Sequence, residues 1–282
     1  DIDLHTLEDA LQVKDVKQLA MTGSSPTPIL ENLANDLNFK GTIICDVVPG
    51  LFFAPAGPPI NKPTEWVQCY QKFSPSEKAG LALNHILESN LAYLKQDDLP
   101  LKEMLKRLEL PNRPGTIIYP KLPPYFMTMD SRREAKLTSR VLEDKEFREL
   151  IQKRWPILFT PPPFPGNPTP EEIGQMIEKM IAGKIKFVKE CVDKIQKRGG
   201  KIIFIRCPSS GPLLELESKL SPKAAIWNRL IAETNVPGIY WQEYENLKDF
   251  DCPEWSHLSA ADSIKFTKEI GPIIKTKLCR TH

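Results

Sequence analysis

The segment CPEWSHLSAADSIKFTKEIG, residues 252–271, places a histidine directly before a predicted helix. Glu254 lies three residues before His257, and Asp251 lies three residues before Glu254. An imidazole can take a proton from a hydroxyl, and a carboxylate on its other nitrogen fixes the tautomer and stabilises the imidazolium. The chain has four histidines, and the other three lie near its ends or within a helical pattern. We therefore predict His257 as a general base, oriented by Glu254, or by Asp251 if the loop folds back.

A hydroxyl that this base could activate lies near the start of the chain, in the tripeptide Gly23-Ser24-Ser25. The tripeptide follows a predicted strand over residues 16–21 and precedes a helical pattern. A serine at such a turn exposes its oxygen beside outward-pointing helix amides, and Gly23 relieves crowding. A free hydroxyl is a weak nucleophile that needs a base such as imidazole. We predict Ser25 as the nucleophile; the alternative is that Ser24 or Ser25 only caps the helix.

Two further loops follow predicted strands and supply candidate binding groups. Gly50 ends the apolar run GTIICDVVPG, and its backbone N–H, together with that of Ser25, is the predicted oxyanion donor. Arg206 and Ser209 lie in IRCPSSG, after the strongest strand pattern. We predict that Arg206 holds an anionic group of a substrate, and that Ser209 and Ser24 line the same cleft. The alternative is a surface arginine followed by a Ser-Gly turn.

Strand and helix patterns alternate along the chain, which is typical of α/β proteins. Apolar, β-branched runs predict strands over residues 16–21, 41–50, 116–119, 201–208 and 238–244. Helical spacing and capping signals predict helices over residues 63–73, 75–96, 99–110, 131–154, 169–198, 212–219, 222–234 and 258–278. Together they predict one domain, residues 1–282, built as a three-layer α/β sandwich with a mostly parallel sheet, with a helical insertion over residues 62–112. Sites in such sheets form at the carboxyl ends of the strands.

Composition argues against several classes of function. The net charge is only +2 and no dense basic stripe is present, so nucleic acid is not a predicted partner. The six cysteines form no CxxC pair and the four histidines have no ligand spacing, so no metal is predicted; their even number permits disulfides without showing them. The chain has no P-loop and no GxGxxG motif, and no cofactor is predicted. No apolar run approaches the ~18–20 residues of a membrane span.

The pairing of Gly23-Ser24-Ser25 near the start with Glu254-Trp-Ser-His257 before the last helix resembles the SGNH (GDSL-type) hydrolase family. In that family the nucleophile closes a Gly-Asp-Ser motif, and the base closes an Asp-x-x-His motif. The chain departs from the pattern in two ways: Glu254 stands for the usual Asp, and the Gly-x-Asn-Asp motif that supplies an oxyanion donor is absent. The segment PGNP, residues 165–168, is not expected to replace it, because it follows no predicted strand.

The resemblance implies an SGNH/flavodoxin-like fold and a serine-dependent ester hydrolase or O-acyltransferase. The divergent branch that it most resembles acts on envelope polymers, which implies an acylated carbohydrate or small acyl ester as substrate and a membrane acyl-transfer protein as a possible partner. It also implies an extracytoplasmic or membrane-anchored protein; since the chain begins at Asp1, we expect that an anchoring segment has been removed. The alternatives are an inactive SGNH-like domain that binds a polymer or membrane partner, and a generic α/β binding domain in which both motifs are coincidental.

Overall fold

The computed structural model describes residues 1–91, 94, 101–106, 122–161, 164 and 166–279. Within these residues, β1 (Thr42–Asp46), β4 (Lys201–Arg206) and β5 (Gly238–Tyr240) form a parallel sheet in the order β1-β4-β5. A separate antiparallel pair is formed by β2 (Met127–Met129) and β3 (Ala135–Leu137). The chain is therefore mixed α/β with a mostly parallel sheet, as the alternating patterns predict.

Helices account for most of the remaining regular structure. In chain order they are α1 (Leu4–Leu11), α2 (Thr27–Asn35), α3 (Pro49–Phe52), α4 (Pro58–Lys72), α5 (Pro75–Asn90), α6 (Leu101–Lys106), α7 (Ser139–Glu143), α8 (Lys145–Gln152), α9 (Trp155–Phe159), α10 (Pro170–Lys197), α11 (Gly211–Leu220), α12 (Trp227–Thr234) and α13 (Ala260–Cys279).

Strand β4 is buried on both faces. Ile202 and Phe204 join an apolar cluster that includes side chains of α2, α10 and α12. The alternate residues Ile203 and Ile205 join a second cluster with side chains of α1 and α13. A strand covered on both faces reads as a continuous apolar run rather than an alternating one, which is why KIIFIR is such a clear signal. The loops after β1, β4 and β5 leave this sheet at a common edge.

The predicted helix over residues 131–154 is wrong. Its first part is the turn and second strand of the β2–β3 hairpin, and only α7 and α8 are helical. Asp130 follows β2 and its Oδ1 accepts the backbone N–H groups of Arg132 and Glu134, at 2.8 and 2.9 Å, while Arg133 has φ +63°. An aspartate that bonds to nearby amides favours a turn over a helix, and the charged pattern conceals this.

Other boundaries differ from the predicted ones. No strand forms over residues 16–21, where only Val16 packs on the second cluster and Leu19 is 51% exposed, so the segment has no apolar face for a sheet. The predicted strand over residues 116–119 lies outside the described residues. Helices α4 and α5 confirm that residues 62–112 contain helical structure. That this segment is an insertion into the domain remains a prediction.

Candidate functional site

The loop that follows β4 and the loop that carries His257 are joined by backbone hydrogen bonds. Ser210 N–H donates to the carbonyl of Trp255 at 2.9 Å, and Cys252 N–H donates to Ser210 Oγ at 2.8 Å. On the other side, Cys207 N–H donates to Asp46 Oδ1 at the end of β1, at 3.3 Å. The carboxyl ends of β1 and β4 and the 251–257 loop therefore meet, as expected for a parallel sheet.

Glu254 and His257 form the dyad that their spacing predicts. Oε1 of Glu254 accepts from the backbone N–H of His257 at 2.7 Å and lies 2.8 Å from its Nδ1. An ionised carboxylate only accepts, so Nδ1 carries the proton, and in the neutral imidazole Nε2 keeps its lone pair. Glu254 is 0% exposed, whereas 30% of the His257 side chain is exposed. The imidazole thus presents a basic nitrogen while its other nitrogen is anchored to a buried carboxylate.

Trp155 completes the environment of the carboxylate, a contact that sequence reasoning missed. Its indole Nε1 donates to Oε2 of Glu254, so both carboxylate oxygens are engaged. The Trp155 ring also packs against His257, with centroids 5.7 Å apart, and against Phe159, with centroids 6.0 Å apart. Nothing in the sequence places the start of α9 beside a loop 99 residues later, because no local pattern encodes that contact. Asp251, the alternative partner of His257, is exposed and takes no part in the dyad.

A small cavity adjoins the dyad. It is about 10 Å³, enough for one water-sized occupant, and its lining includes His257, Leu258, Met127 and Lys136. Lys136 is already engaged with Asp3 Oδ2 at 2.6 Å. Among the residues that the structure describes, Nε2 of His257 has no hydrogen-bond partner. This nitrogen is therefore available to a proton donor.

Ser25 lies in a different local setting from the predicted one. Its Oγ lies 3.0 Å from Thr27 Oγ1 and accepts the backbone N–H of Thr27 at 3.3 Å, and the residue is 2% exposed. Within the described chain, Ser25 and His257 share no hydrogen bond, so the expected contact between Oγ and Nε2 is not formed. The backbone N–H of Ser25 donates to Pro59 O at 2.8 Å and is not free to bind an oxyanion. A hydroxyl two residues away satisfies Ser25 locally. The alternative role as a helix cap is not formed either, because Pro26 is the N-cap of α2 and no side chain caps that helix.

Gly50 and Ser24, two other predicted binding residues, lie at or near the protein surface. Gly50 is exposed at the start of α3, and its backbone N–H has no acceptor among the described residues, as an oxyanion donor requires. Gly50 lies against Phe159, since a Cβ at Gly50 would lie 3.1 Å from Cδ1 of that ring. Phe159 in turn packs on Trp155, which contacts His257. Ser24 is half-buried and its Oγ donates to Thr22 O at 3.4 Å.

Arg206 and Ser209 are not open to a substrate, which differs from their predicted role. Arg206 is 5% exposed, and its guanidinium donates to Glu217 Oε2 at 2.6 Å, to Cys207 O at 2.6 Å and to Ser209 Oγ at 3.2 Å. Ser209 Oγ in turn donates to Glu217 at 2.8 Å. The strand end buries the guanidinium, and Glu217 on α11 neutralises it. Sequence analysis could not find Glu217, because the path of α11 back over β4 decides the pairing.

Burial shifts the pKa of the nearby thiols and of the Asp46 carboxyl toward their neutral forms. It raises the pKa of Asp46 above its usual value, and the nearby charge of Arg206 only partly offsets this. Burial also raises the pKa of the Cys207 thiol strongly and that of Cys252 to about 12. Thiolates are therefore scarce at neutral pH, and these cysteines are not nucleophiles. All six cysteines are free thiols.

Gly211 fixes how closely the two loops approach. It has φ +53°, and a Cβ at this position would lie 2.9 Å from Cδ1 and Nε1 of the Trp255 ring. We expect Gly211→Ala to lower the free energy of unfolding by about 1–3 kcal/mol, through backbone strain and overpacking. Urea denaturation followed by tryptophan fluorescence measures this change. Gly174→Ala in α10, where a Cβ meets nothing within 4 Å, is the control and should be neutral or stabilising. Equal midpoints for both variants would contradict the proposed close packing.

No protein-family model, no curated protein and no solved structure matches the chain. Within the described residues, no group of three or more His, Cys, Asp or Glu side chains could hold a metal ion, and no helix is long and apolar enough to cross a membrane.

Proposed function

We propose that the chain is a serine-dependent ester hydrolase or O-acyltransferase that acts on an acylated carbohydrate or envelope polymer. One observation carries the proposal: the buried Glu254 carboxylate holds Nδ1 of His257 at 2.8 Å, while Nε2 has no partner among the described residues and the ring is partly exposed. Aligning an imidazole in this way prepares it to accept a proton from a hydroxyl and return it to a leaving group. The likeness to the SGNH pattern supplies the reaction class.

In the proposed reaction, Ser25 Oγ attacks the acyl carbonyl carbon and its proton passes to Nε2 of His257. The carbonyl oxygen takes the electron pair and accepts the N–H of Gly50. Collapse of the tetrahedral intermediate expels the alcohol, which takes the proton back from His257, and water or a sugar hydroxyl then removes the acyl group by the same steps. The proposal requires Ser25 Oγ to exchange its contact with Thr27 for one with Nε2 when substrate binds. Only one oxyanion donor is in place, and losing one donor typically slows acyl transfer ~10²–10³-fold, so we expect a slow enzyme.

Covalent labelling tests the nucleophile. Wild-type protein incubated with a fluorophosphonate probe should be labelled at Ser25, and both Ser25→Ala and His257→Ala should abolish the label. Ser24→Ala, the adjacent serine, is the matched control and should label like wild type. Peptide mass spectrometry locates the adduct, and aryl acetate hydrolysis is measured in parallel. Wild-type protein that neither labels nor hydrolyses aryl acetates would exclude the serine hydrolase.

A second candidate is a catalytically inactive SGNH-like domain that binds a polymer or a membrane partner protein. It is favoured by the setting of Ser25, which is 2% exposed and has its hydroxyl and amide both engaged. This candidate predicts binding of acetylated polysaccharide with no release of acetate. Measurable acetate release that depends on His257 would decide for the enzyme.

The finer architecture and the location belong to the same proposal. The two apolar clusters on alternate sides of β4 support a three-layer sandwich. The likeness to envelope-polymer proteins favours an extracytoplasmic or membrane-anchored setting and a membrane acyl-transfer partner.

A further inference from the structure

A second, larger concavity lies between α2, α4 and α10. It measures about 300 Å³, within the size range of small-molecule sites. Its apolar surface comes from one side chain of each helix: Pro28 of α2, Ile60 of α4 and Phe187 of α10. Its charged groups are Lys184 of α10 and Glu31 of α2. We call it the three-helix groove. It combines an apolar wall with a few polar groups, as ligand sites do.

Lys184 is the one half-buried lysine of α10, whose other lysines are exposed. Lys189 pairs with Asp193 at 3.5 Å, and Lys194 donates to Asn35 Oδ1 at 2.9 Å. Lys184 is half-buried, yet it has neither an ion pair nor a hydrogen bond within the part of the chain that the structure describes. Burial lowers the pKa of its ammonium group. A partly desolvated cation without a counter-charge is unfavourable, and an anion in the groove would relieve that cost.

Glu31 is the only acidic side chain among the groove's described lining, and it is exposed. Glu31 and Lys184 form no salt bridge, so the carboxylate oxygens lie more than 4.0 Å from the ammonium nitrogen. Water and salt screen an exposed carboxylate strongly, whereas a half-buried ammonium is screened less. The attraction of an anion to Lys184 therefore outweighs its repulsion by Glu31.

We propose that the three-helix groove binds a small organic anion, with its carboxylate on the Lys184 ammonium and its apolar body against Pro28, Ile60 and Phe187. The groove is separate from the cavity at His257. Thr27 lines it, and Thr27 Oγ1 lies 3.0 Å from Ser25 Oγ, so an occupant would sit behind the serine rather than at the base. The inference does not rest on the proposed reaction, because it needs only the groove and its unpaired cation.

Titration calorimetry and amide NMR shifts with hexanoate as the probe test the inference, with hexan-1-ol as the uncharged counterpart. We expect hexanoate to bind wild type and to shift amides of α2 and α10. Lys184→Met should weaken hexanoate binding about tenfold or more while leaving hexan-1-ol unchanged, since a charge-assisted hydrogen bond is lost. Lys184→Arg should retain binding, and Lys189→Met is the matched control. Glu31→Gln should tighten hexanoate slightly.

The apolar wall has its own test. A Cβ at Gly183 meets nothing within 4 Å, so Gly183→Leu can place a side chain into the groove. This variant should bind both hexanoate and hexan-1-ol more weakly than wild type, without loss of thermal stability. Ser25→Ala and His257→Ala should bind hexanoate like wild type, which separates this site from the reaction. No hexanoate binding by wild type, or equal affinity in wild type, Lys184→Met and Gly183→Leu, would overturn the proposal.

Discussion

Replacing Glu254 by glutamine is expected to lower kcat/KM for aryl acetate hydrolysis by about 10⁴-fold, because an amide in this position stabilises the wrong imidazole tautomer. Three donors converge on the Glu254 carboxylate: the backbone N–H and Nδ1 of His257 on Oε1, and the Trp155 indole on Oε2. Glutamine offers only one oxygen, so its NH₂ group must face one of these donors. If it faces His257, Nδ1 becomes the acceptor and the proton moves to Nε2.

This prediction has a readout that does not depend on activity. The ¹⁵N shifts of the His257 ring distinguish the two neutral tautomers, and Glu254→Gln should move the proton from Nδ1 to Nε2. Asp251→Asn, in the same loop but exposed and outside the dyad, is the matched control and should leave both rate and tautomer unchanged. A glutamine whose oxygen faces His257 keeps the proton on Nδ1, so the contradicting result is an unchanged tautomer both in Glu254→Gln and in Glu254→Ala, which has no acceptor in its side chain.

Replacing Glu217 by alanine is expected to lower the free energy of unfolding by about 3–5 kcal/mol. The guanidinium of Arg206 is 5% exposed at the end of β4, and Glu217 is its direct carboxylate partner at 2.6 Å. Arginine does not shed its proton, so truncation leaves a buried cation with only the more distant Asp46 to offset it. The buried Ser209 hydroxyl loses its acceptor as well. Urea denaturation with far-UV circular dichroism measures the loss.

Two comparison variants make the result specific to the buried pair. Glu217→Gln keeps an acceptor for Arg206 and Ser209 and should cost less than Glu217→Ala. Glu245→Ala removes a carboxylate that pairs with Lys248 but is 89% exposed, and it should leave the denaturation midpoint unchanged. A Glu217→Ala midpoint as high as that of Glu245→Ala would mean that water reaches Arg206.

Local signals in the sequence were sufficient wherever a structure depends on near neighbours. Thr169 and Glu172, three residues apart in the sequence pattern of a capping box, form that box at the start of α10, with Glu172 N–H donating to Thr169 Oγ1 at 3.3 Å and Thr169 N–H donating to Glu172 Oε2 at 2.7 Å. The apolar run of β4 forms the central buried strand. The Glu254 and His257 dyad also belongs here, because a side chain can reach the amide and ring three residues ahead within one turn.

Local reasoning gave the wrong structure where one sequence pattern is compatible with two different backbone conformations. Residues 131–154 have helical spacing, yet Asp130 binds two following amides and starts a hairpin instead. Residues 16–21 include four apolar residues, yet a strand needs a partner and a face to bury, and this segment stays largely exposed. Side-chain hydrogen bonds and available neighbours decide such cases, and neither is visible in periodicity.

What the sequence determined by itself was the parallel α/β character, the long α10 helix and the histidine–carboxylate dyad. The helix and the dyad follow from contacts between residues close in the chain, and the α/β character follows from the alternation of strand and helix patterns along it. Tertiary structure alone decided that Trp155 binds the dyad, that Glu217 neutralises Arg206, and that Ser25 turns to Thr27 instead of His257. Ser25 and His257 are separated by 232 residues, and no spacing rule fixes the distance between side chains so far apart. Whether these two side chains meet depends on how the loops pack at the sheet edge, where differences of a few kcal/mol select among alternative hydrogen-bond partners.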